Sequence, residues 1–284
     1  MIIIDFSQVI IANLMVSIGN HTNVKIEVGL LRHMVLNTIR LLNTKFRKDY
    51  GELIIACDDN GYWRKTIFPY YKAHRKRDRD ASELDWNAVY DAIHQIRDEL
   101  RDNFPYRVIR VPTAEADDII ASLVMEYGDT EKILIISGDK DFQQLQKYPN
   151  VKQYDPNSMR RGFITCPDPE RFLKEHIIRG DVGDGVPNIM SRDDCIMTRT
   201  RQSPLMKEKV NKWLDLDPKD FCTTEMLKNY HRNKLMVDLT LIPHHIREEV
   251  LTSYNSQADK SRSNIWNYFI AFKLKTLMES LQDF

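Results

Sequence analysis

Carboxylates recur in this chain wherever an apolar run ends. Asp5 follows "III", Asp58 and Asp59 follow "LIIAC", and Asp139 and Asp141 bracket a lysine after "ILIISG". A fourth run, "YRVIRV", leads through Pro112 and Thr113 into "AEADDII", which sets Glu115, Asp117 and Asp118 in the first turns of a helix. Taken singly, each acid suits a solvated turn, or gains about 0.3 to 1 kcal/mol from a helix dipole. Four such exits in one parallel sheet bring like charges close together, which repel or rise in pKa unless a cation intervenes. Oxygen donors without His or Cys suit Mg²⁺, with Mn²⁺ as a substitute. Two such ions about 4 Å apart are arranged for in-line hydrolysis of a phosphodiester, and no Ser/His/Asp set is evident to offer another route. A further pair, Asp181 and Asp184 in "RGDVGDGVPNI", follows the helical stretch "PERFLKEHIIR", with Gly180 as its cap. As a loop between two helices, it would meet a phosphate chain with its backbone and complete a metal site with its acids.

Lys+Arg and Asp+Glu are both 41, so overall charge names no partner; the distribution does. Arg64, Lys65, Lys72, Arg75, Lys76, Arg77 and Arg79 stand against the single acid Asp78, and the same stretch interleaves Tyr62, Trp63, Phe68, Tyr70 and Tyr71. Positive charge binds a phosphate backbone, and aromatic faces stack on unpaired bases for about 1 to 3 kcal/mol each. The stretch starts directly after Asp58 and Asp59, so it would hang over the metal site as a basic arch spanning about residues 62 to 100.

The elements that must position these groups are legible as short apolar runs. "MIII", "ELIIAC", "YRVIRV", "KILII" and "VKQYD" read as strands, most without the alternation of a one-sided sheet. Residues 28–46, 84–100 and 114–127 carry helical spacing between them. Alternating strands and helices predict an α/β fold with a mostly parallel central sheet, whose ligands gather at the carboxyl ends of the strands. After Pro167 the strand signal stops. The expected organisation is a nuclease-type α/β domain over 1–160 and a helical part over 161–284 that ends in one helix, 265–281. The scattered cysteines Cys57, Cys166, Cys195 and Cys222 form no C-x-x-C pair, which fits a reducing cytoplasm. No apolar stretch is long enough for a bilayer, and "MIIID" lacks a basic leader, so the expectation is a soluble, cytoplasmic monomer without membrane contact.

Together "IIIDFSQ", "CDDNGYWRK…PYYKAHRK", "EADD", "ISGDKDFQQL…YPNVKQY" and "GDVGDGVPN" resemble the 5′ nuclease, or flap endonuclease, family, and within it the branch of the T-even phage ribonuclease H. The resemblance implies a PIN-like core and a helix-turn-helix loop near Gly180 to Asn188 that meets duplex backbone. It implies a first metal among Asp5, Asp58, Glu115, Asp117, Asp118 and Asp139, with Asp58 preferred over Asp59 as the first acid after its strand. Asp141, Asp181 and Asp184 would hold the second. Arg64 and Lys72 would contact the scissile phosphate, and Gly183 and Gly185 would lie along the nucleic acid with the arch cations. Beyond "GVPN" the family's Gly-x-Gly is replaced by "IMSRDDC", a departure from the pattern that holds a potassium ion in many relatives. The implied activity is Mg²⁺-dependent 5′ to 3′ exonuclease and flap endonuclease action on DNA and RNA/DNA hybrids in phage primer removal, within the host cytoplasm. A single-stranded-DNA-binding protein and a sliding clamp are the implied protein partners. The rival readings are an inactive, structure-selective DNA-binding protein and an RNA-cleaving PIN-type nuclease.

Overall fold

The computed structural model of the chain describes residues 1–18, 26–157 and 162–284. Residues 160 and 161, where the sequence reading joins its two domains, lie outside them.

The first half alternates as expected: β1 (Ile2–Asp5), α1 (Phe6–Ile18), α2 (Val28–Tyr50), β2 (Leu53–Ala56), the short α3 (Arg64–Ile67), α4 (Ala73–Asp80), α5 (Trp86–Asn103), β3 (Arg107–Ile109), α6 (Ala116–Tyr127), β4 (Ile133–Ile136) and β5 (Val151–Asp155). A sixth strand, β6 (Gly162–Ile164), pairs antiparallel with β5 and was not legible in the sequence. The sheet order is β3-β2-β1-β4-β5-β6, with all pairings but the last parallel. Residues 2–4 place Ile2 and Ile4 in one core and Ile3 in another, so β1 is covered on both faces and shows an unbroken apolar run. Chain order reverses on either side of β1, and the crevice at the carboxyl ends of β1 and β4 is a topological switch point.

Local chemistry fixes the helix ends near that crevice. Asp118 accepts a hydrogen bond from the Glu115 N–H at 2.9 Å, the return half of a capping box at the start of α6. Asp85 accepts from the N–H groups of Asn87 and Ala88 and opens α5, the far leg of the arch. After β6, α7 (Pro169–Arg179) starts with Asp168 as cap and proline in its first turn, and stops at Gly180, whose φ is +67°.

Beyond the loops of 180–206 the chain is mostly helical: α8 (Lys207–Leu214), α9 (Pro218–Phe221), α10 (Thr224–Val237), α11 (His244–Ser256), α12 (Ile265–Ala271) and α13 (Lys275–Met278). No helix among the described residues is long and apolar enough to cross a membrane. The single helix expected over 265–281 is broken. Lys273 takes a left-handed φ of 56°, and the Leu274 N–H returns to the Phe269 carbonyl at 2.9 Å, a capping geometry that ends α12. The C-terminal helices serve three cores. α12, α13 and Phe284 pack with α1, α2 and α5 on one sheet face, and α11 packs with α6 on the other. The third core joins α7, α8 and α10 to Phe68 and Tyr71 at the root of the arch. The second helix of the expected helix-turn-helix does not follow the 180–190 loop. Asn188 turns the chain there by accepting from the Met190 N–H and the Ser191 hydroxyl, both at 2.9 Å, and the next α-helix opens only at Lys207.

Candidate active site

Parallel pairing in register brings the strand exits together: Ile4 lies opposite Ile55 and Ile136, and Asp5 opposite Ala56. Asp5 is buried at the end of β1, accepting from the Gln8 N–H at 3.2 Å and the Ser137 hydroxyl at 3.3 Å. Burial pushes its carboxyl up to about 7, and the neighbouring charges of Asp58 and Asp139 add to the rise. Asp139 is pushed up to about 6 by burial and by Asp141. Asp117, in the first turn of α6, is raised well above the carboxylate range by burial and by Asp139. None of these three is within ion-pair reach of a Lys or Arg among the described residues. A set of close carboxyl groups held in this way is short of positive charge and fits a divalent cation.

Asp58 and Asp59 separate cleanly. Asp58 takes the Ser7 hydroxyl at 2.5 Å and the Ala116 N–H at the start of α6 at 2.8 Å, which ties β2 to the ends of β1 and α6. Asp59 faces the other way, accepting from the Thr113 N–H at 2.8 Å and pairing with Arg110 at 2.5 Å. Although burial works against it, these partners hold the Asp59 carboxyl below its ordinary value. Asp58 is therefore the acid that adjoins Asp5.

Two of the expected ligands do other work. Asp118 is fully buried, and its carboxylate receives the Trp63 indole N–H at 3.0 Å and the Arg64 guanidinium at 2.8 Å. Its place in the third position of α6 points it at Trp63 and α3, so it is a structural acid and not part of the open carboxylate set. Arg64, expected at the scissile phosphate, is itself buried. Its Nε donates to the Met236 carbonyl at 3.0 Å, and Nη1 donates to Glu115 at 2.9 Å and Asp118 at 3.0 Å. With every arm engaged inside the protein, it holds α6, α10 and the arch root together. Glu115 is buried as well, receiving Arg64, the Tyr71 hydroxyl at 2.9 Å and the Lys72 ammonium. Burial raises its carboxyl, but Lys72 and Arg64 outweigh that and hold it below the usual value.

The second cluster differs from its expected composition. Asp141 and Asp181 converge with His176 from the last turn of α7, their donor atoms all lying within 4.8 Å of one another. The His176 Nε2 is 3.0 Å from Asp141 Oδ1 and 3.6 Å from Asp181 Oδ2. Burial lowers the imidazole pKa, but Asp141 overrides it and the net shift is upward. Lys140 pairs with Asp181 at 2.8 Å from the solvent side and, with His176, holds that carboxyl below its ordinary value against the effect of burial. Asp184 stands apart from this group. The arch engages it through the Tyr71 hydroxyl at 2.9 Å, Lys72 at 3.5 Å and Arg75 at 2.6 Å. Burial still leaves its carboxyl raised overall.

The arch thus leans on the acids it was expected to overhang. Lys72 adopts φ 52°, and its N–H donates to the Asp184 carbonyl at 2.7 Å, while Arg75 Nε donates to the Gly183 carbonyl at 3.0 Å. Arg77 donates to the Met197 carbonyl at 2.7 Å, and Arg79 sits 5.8 Å from the centre of the Tyr90 ring. Lys65 and Lys76 are exposed, as is Gly183. Gly185 is buried against the arch: a side chain there would meet the Tyr70 carbonyl oxygen at 2.8 Å, so it allows close packing and offers no open surface. Stacking faces are fewer than the sequence suggested. Trp63, Phe68 and Tyr71 are buried in the cores and carboxylate network; only Tyr70 is exposed, with Tyr62 half-buried.

Trp63, Tyr71 and His176 contact the acids directly, which sequence reasoning missed. Tyr71 and Trp63 were expected among the base-stacking aromatics, and His176 lies in the helical stretch "PERFLKEHIIR", for which no ligand was expected. Its only sequence signal is its place five residues before Asp181, in the turn that leads into the acidic loop.

Comparison with known proteins agrees with this fold. The family profile described as "5'-3' exonuclease, N-terminal resolvase-like domain" matches residues 1–175, and that described as "T4 RNase H, C terminal" matches residues 168–284. The ribonuclease H of Enterobacteria phage T4 is 35% identical over 292 residues, covering 99% of this chain and 95% of that protein. The flap endonuclease Xni of Shewanella sp. strain MR-4 is 29% identical over 143 residues, 48% of this chain and 51% of its own length. Among solved structures, the bacteriophage T5 flap endonuclease in a complex with DNA and metal ions superposes with a TM-score of 0.62 at 17% identity, covering 91% of this chain and 98% of the other. At that identity the likeness shows the fold.

Proposed function

The chain belongs to the 5′-3′ exonuclease family, and from that premise we propose that it is a Mg²⁺-dependent 5′ to 3′ exonuclease and flap endonuclease acting on DNA and on RNA annealed to DNA. The observation that carries this reading is the set Asp5, Asp58, Asp117 and Asp139, gathered from three strand ends and one helix start, with three members raised in pKa and none of those three within ion-pair distance of a Lys or Arg among the described residues. These four would hold one ion, and Asp141 and Asp181 the second. When bound, the ions make a water nucleophilic near neutral pH and offset charge on the leaving oxygen.

The protein's own part is positioning. Ser7 and the α6 N-terminus fix Asp58, the Gln8 N–H and Ser137 fix Asp5, and Tyr71 spans Glu115 and Asp184. Lys72 and Arg75 counter the buried acids from the arch. With substrate present they would turn to the scissile phosphate, as Lys65, Lys76, Arg77 and Arg79 track the strand leading to it and Gly183 faces the duplex. Primer removal on the lagging strand is the setting this activity serves. Purified protein with 5′-flap, nicked and blunt duplexes, with and without Mg²⁺, tests the reading. Metal-dependent release of 5′-phosphorylated products, lost in Asp139→Asn, is expected; cleavage that survives that change, or none on any 5′-ended substrate, overturns it. An inactive DNA binder would hold these substrates without turnover.

A further inference from the structure

Ligand atoms about 2.1 Å from one ion and about 90 to 110° apart lie roughly 3.0 to 3.4 Å from each other. The second cluster approaches that spacing: His176 Nε2 lies 3.0 Å from Asp141 Oδ1 and 3.6 Å from Asp181 Oδ2. The two nearer atoms are buried and meet out of line for a well-formed hydrogen bond. The ring is 6% exposed and is stacked on Phe172 with centroids 5.9 Å apart, so its orientation is set by α7. Asp184, the oxygen donor that would complete an all-carboxylate site, accepts from the Tyr71 hydroxyl at 2.9 Å. Asp139 lies beside Asp141, and Lys140 pairs with Asp181 from the solvent side through a half-exposed side chain.

We propose that His176 is a direct ligand of the second ion, making it a mixed nitrogen and oxygen site that takes a first-row transition ion such as Mn²⁺ or Co²⁺ in preference to Mg²⁺. The proposal rests on the two-ion reading above and adds a donor of different chemistry: imidazole nitrogen binds transition ions well, while Mg²⁺ favours oxygen and retained water. Site one, built from carboxylates alone, keeps its Mg²⁺ preference. The two sites therefore load differently when both metals are supplied.

Pulsed electron paramagnetic resonance of the Mn²⁺-loaded full chain tests this directly. Protein carrying ¹⁵N-histidine should show a nitrogen coupling to Mn²⁺ that changes from the ¹⁴N to the ¹⁵N pattern. His176→Gln should lose it, and should weaken Co²⁺ binding more than Mg²⁺ binding. If that variant does not fold, Asp181→Asn serves instead, with the coupling diminished. Bound Mn²⁺ without nitrogen coupling in the labelled wild-type protein overturns the proposal, as does a coupling unchanged in folded His176→Gln. Flap cleavage in Mg²⁺ on the same sample separates the two readings: cleavage without nitrogen coupling sinks this inference alone, and coupling without cleavage of any 5′-ended substrate sinks only the assigned activity.

Discussion

Arg64→Ala removes a guanidinium that is 2% exposed and hydrogen-bonded to Met236, Glu115 and Asp118. The loss falls unevenly. Glu115 keeps Tyr71 and Lys72, whereas Asp118, with no exposed surface, keeps only the Trp63 indole and its own cap hydrogen bond to the Glu115 N–H. Breaking one side of a buried ion pair typically costs about 3 to 5 kcal/mol, because the remaining charge is stranded. At roughly 2 to 4 °C per kcal/mol for chains near this size, the melting temperature should fall by about 10 °C. Arg64→Lys keeps the charge but not the fork, and should fall between wild type and alanine. Thermal unfolding in chelator gives the stability; single-turnover flap cleavage in Mg²⁺, well below the lower melting temperature, gives activity per folded molecule. The main loss should be in unfolding. If Arg64→Ala melts like wild type and yet cleaves a hundredfold more slowly, the guanidinium acts on the phosphate and the structural assignment is wrong.

The raised carboxyls give the metal-free protein a definite pH dependence. Unfolded carboxylates titrate near 3.9, while Asp139 is pushed up to about 6 and Asp5 to about 7, so the stability these groups contribute is complete below about pH 4 and is lost as pH rises through 6 to 7. Urea midpoints in chelator should therefore be lower at pH 8 than at pH 5, and a rising midpoint would contradict the burial argument. Asp5→Asn should abolish Mg²⁺-dependent cleavage while raising the metal-free midpoint at pH 8; a variant that is both inactive and less stable there refutes the charge-crowding explanation. Lys76→Ala should weaken duplex and flap binding alike and reduce the log-log salt slope by about 1, with an unchanged slope showing that it touches no phosphate. Gly180→Ala sets a side chain 2.4 Å from the Val186 carbonyl oxygen at φ +67°, so lowered stability and weaker duplex binding are expected; wild-type unfolding would show that the acidic loop is not this tight.

The sequence by itself carried the sheet and the identity of most acids. Each of the five predicted runs forms a strand; β1, β2 and β4 are buried along their whole length and are apolar up to the closing acid, which leaves a local signal. Parallel pairing of such strands puts Asp5, Asp58 and Asp139 at one edge, and the "EADD" turn supplies Asp117. The β6 edge strand left little trace, being three residues long with no buried face. The predicted 265–281 helix failed for a related reason: apolar spacing continues through Lys273, while a left-handed cap ends the helix.

Only the tertiary structure decided which way each charge faces. "DD" at 58–59 and at 117–118 are adjacent pairs of identical residues, and a helix or turn sends neighbours in different directions: Asp58 and Asp117 toward the open crevice, Asp59 to Arg110 and Asp118 to Arg64. Arg64 and Tyr71 sit in a stretch whose composition speaks of solvent and phosphate, yet long-range packing against α6 and α10 draws both inside. His176 reaches Asp141 because α7 packs against the 140–147 turn that follows β4. Residue type and local spacing set which groups could bind a metal or a phosphate, whereas burial and opposing charge, properties of contacts distant in sequence, determined which of them remain free to do so.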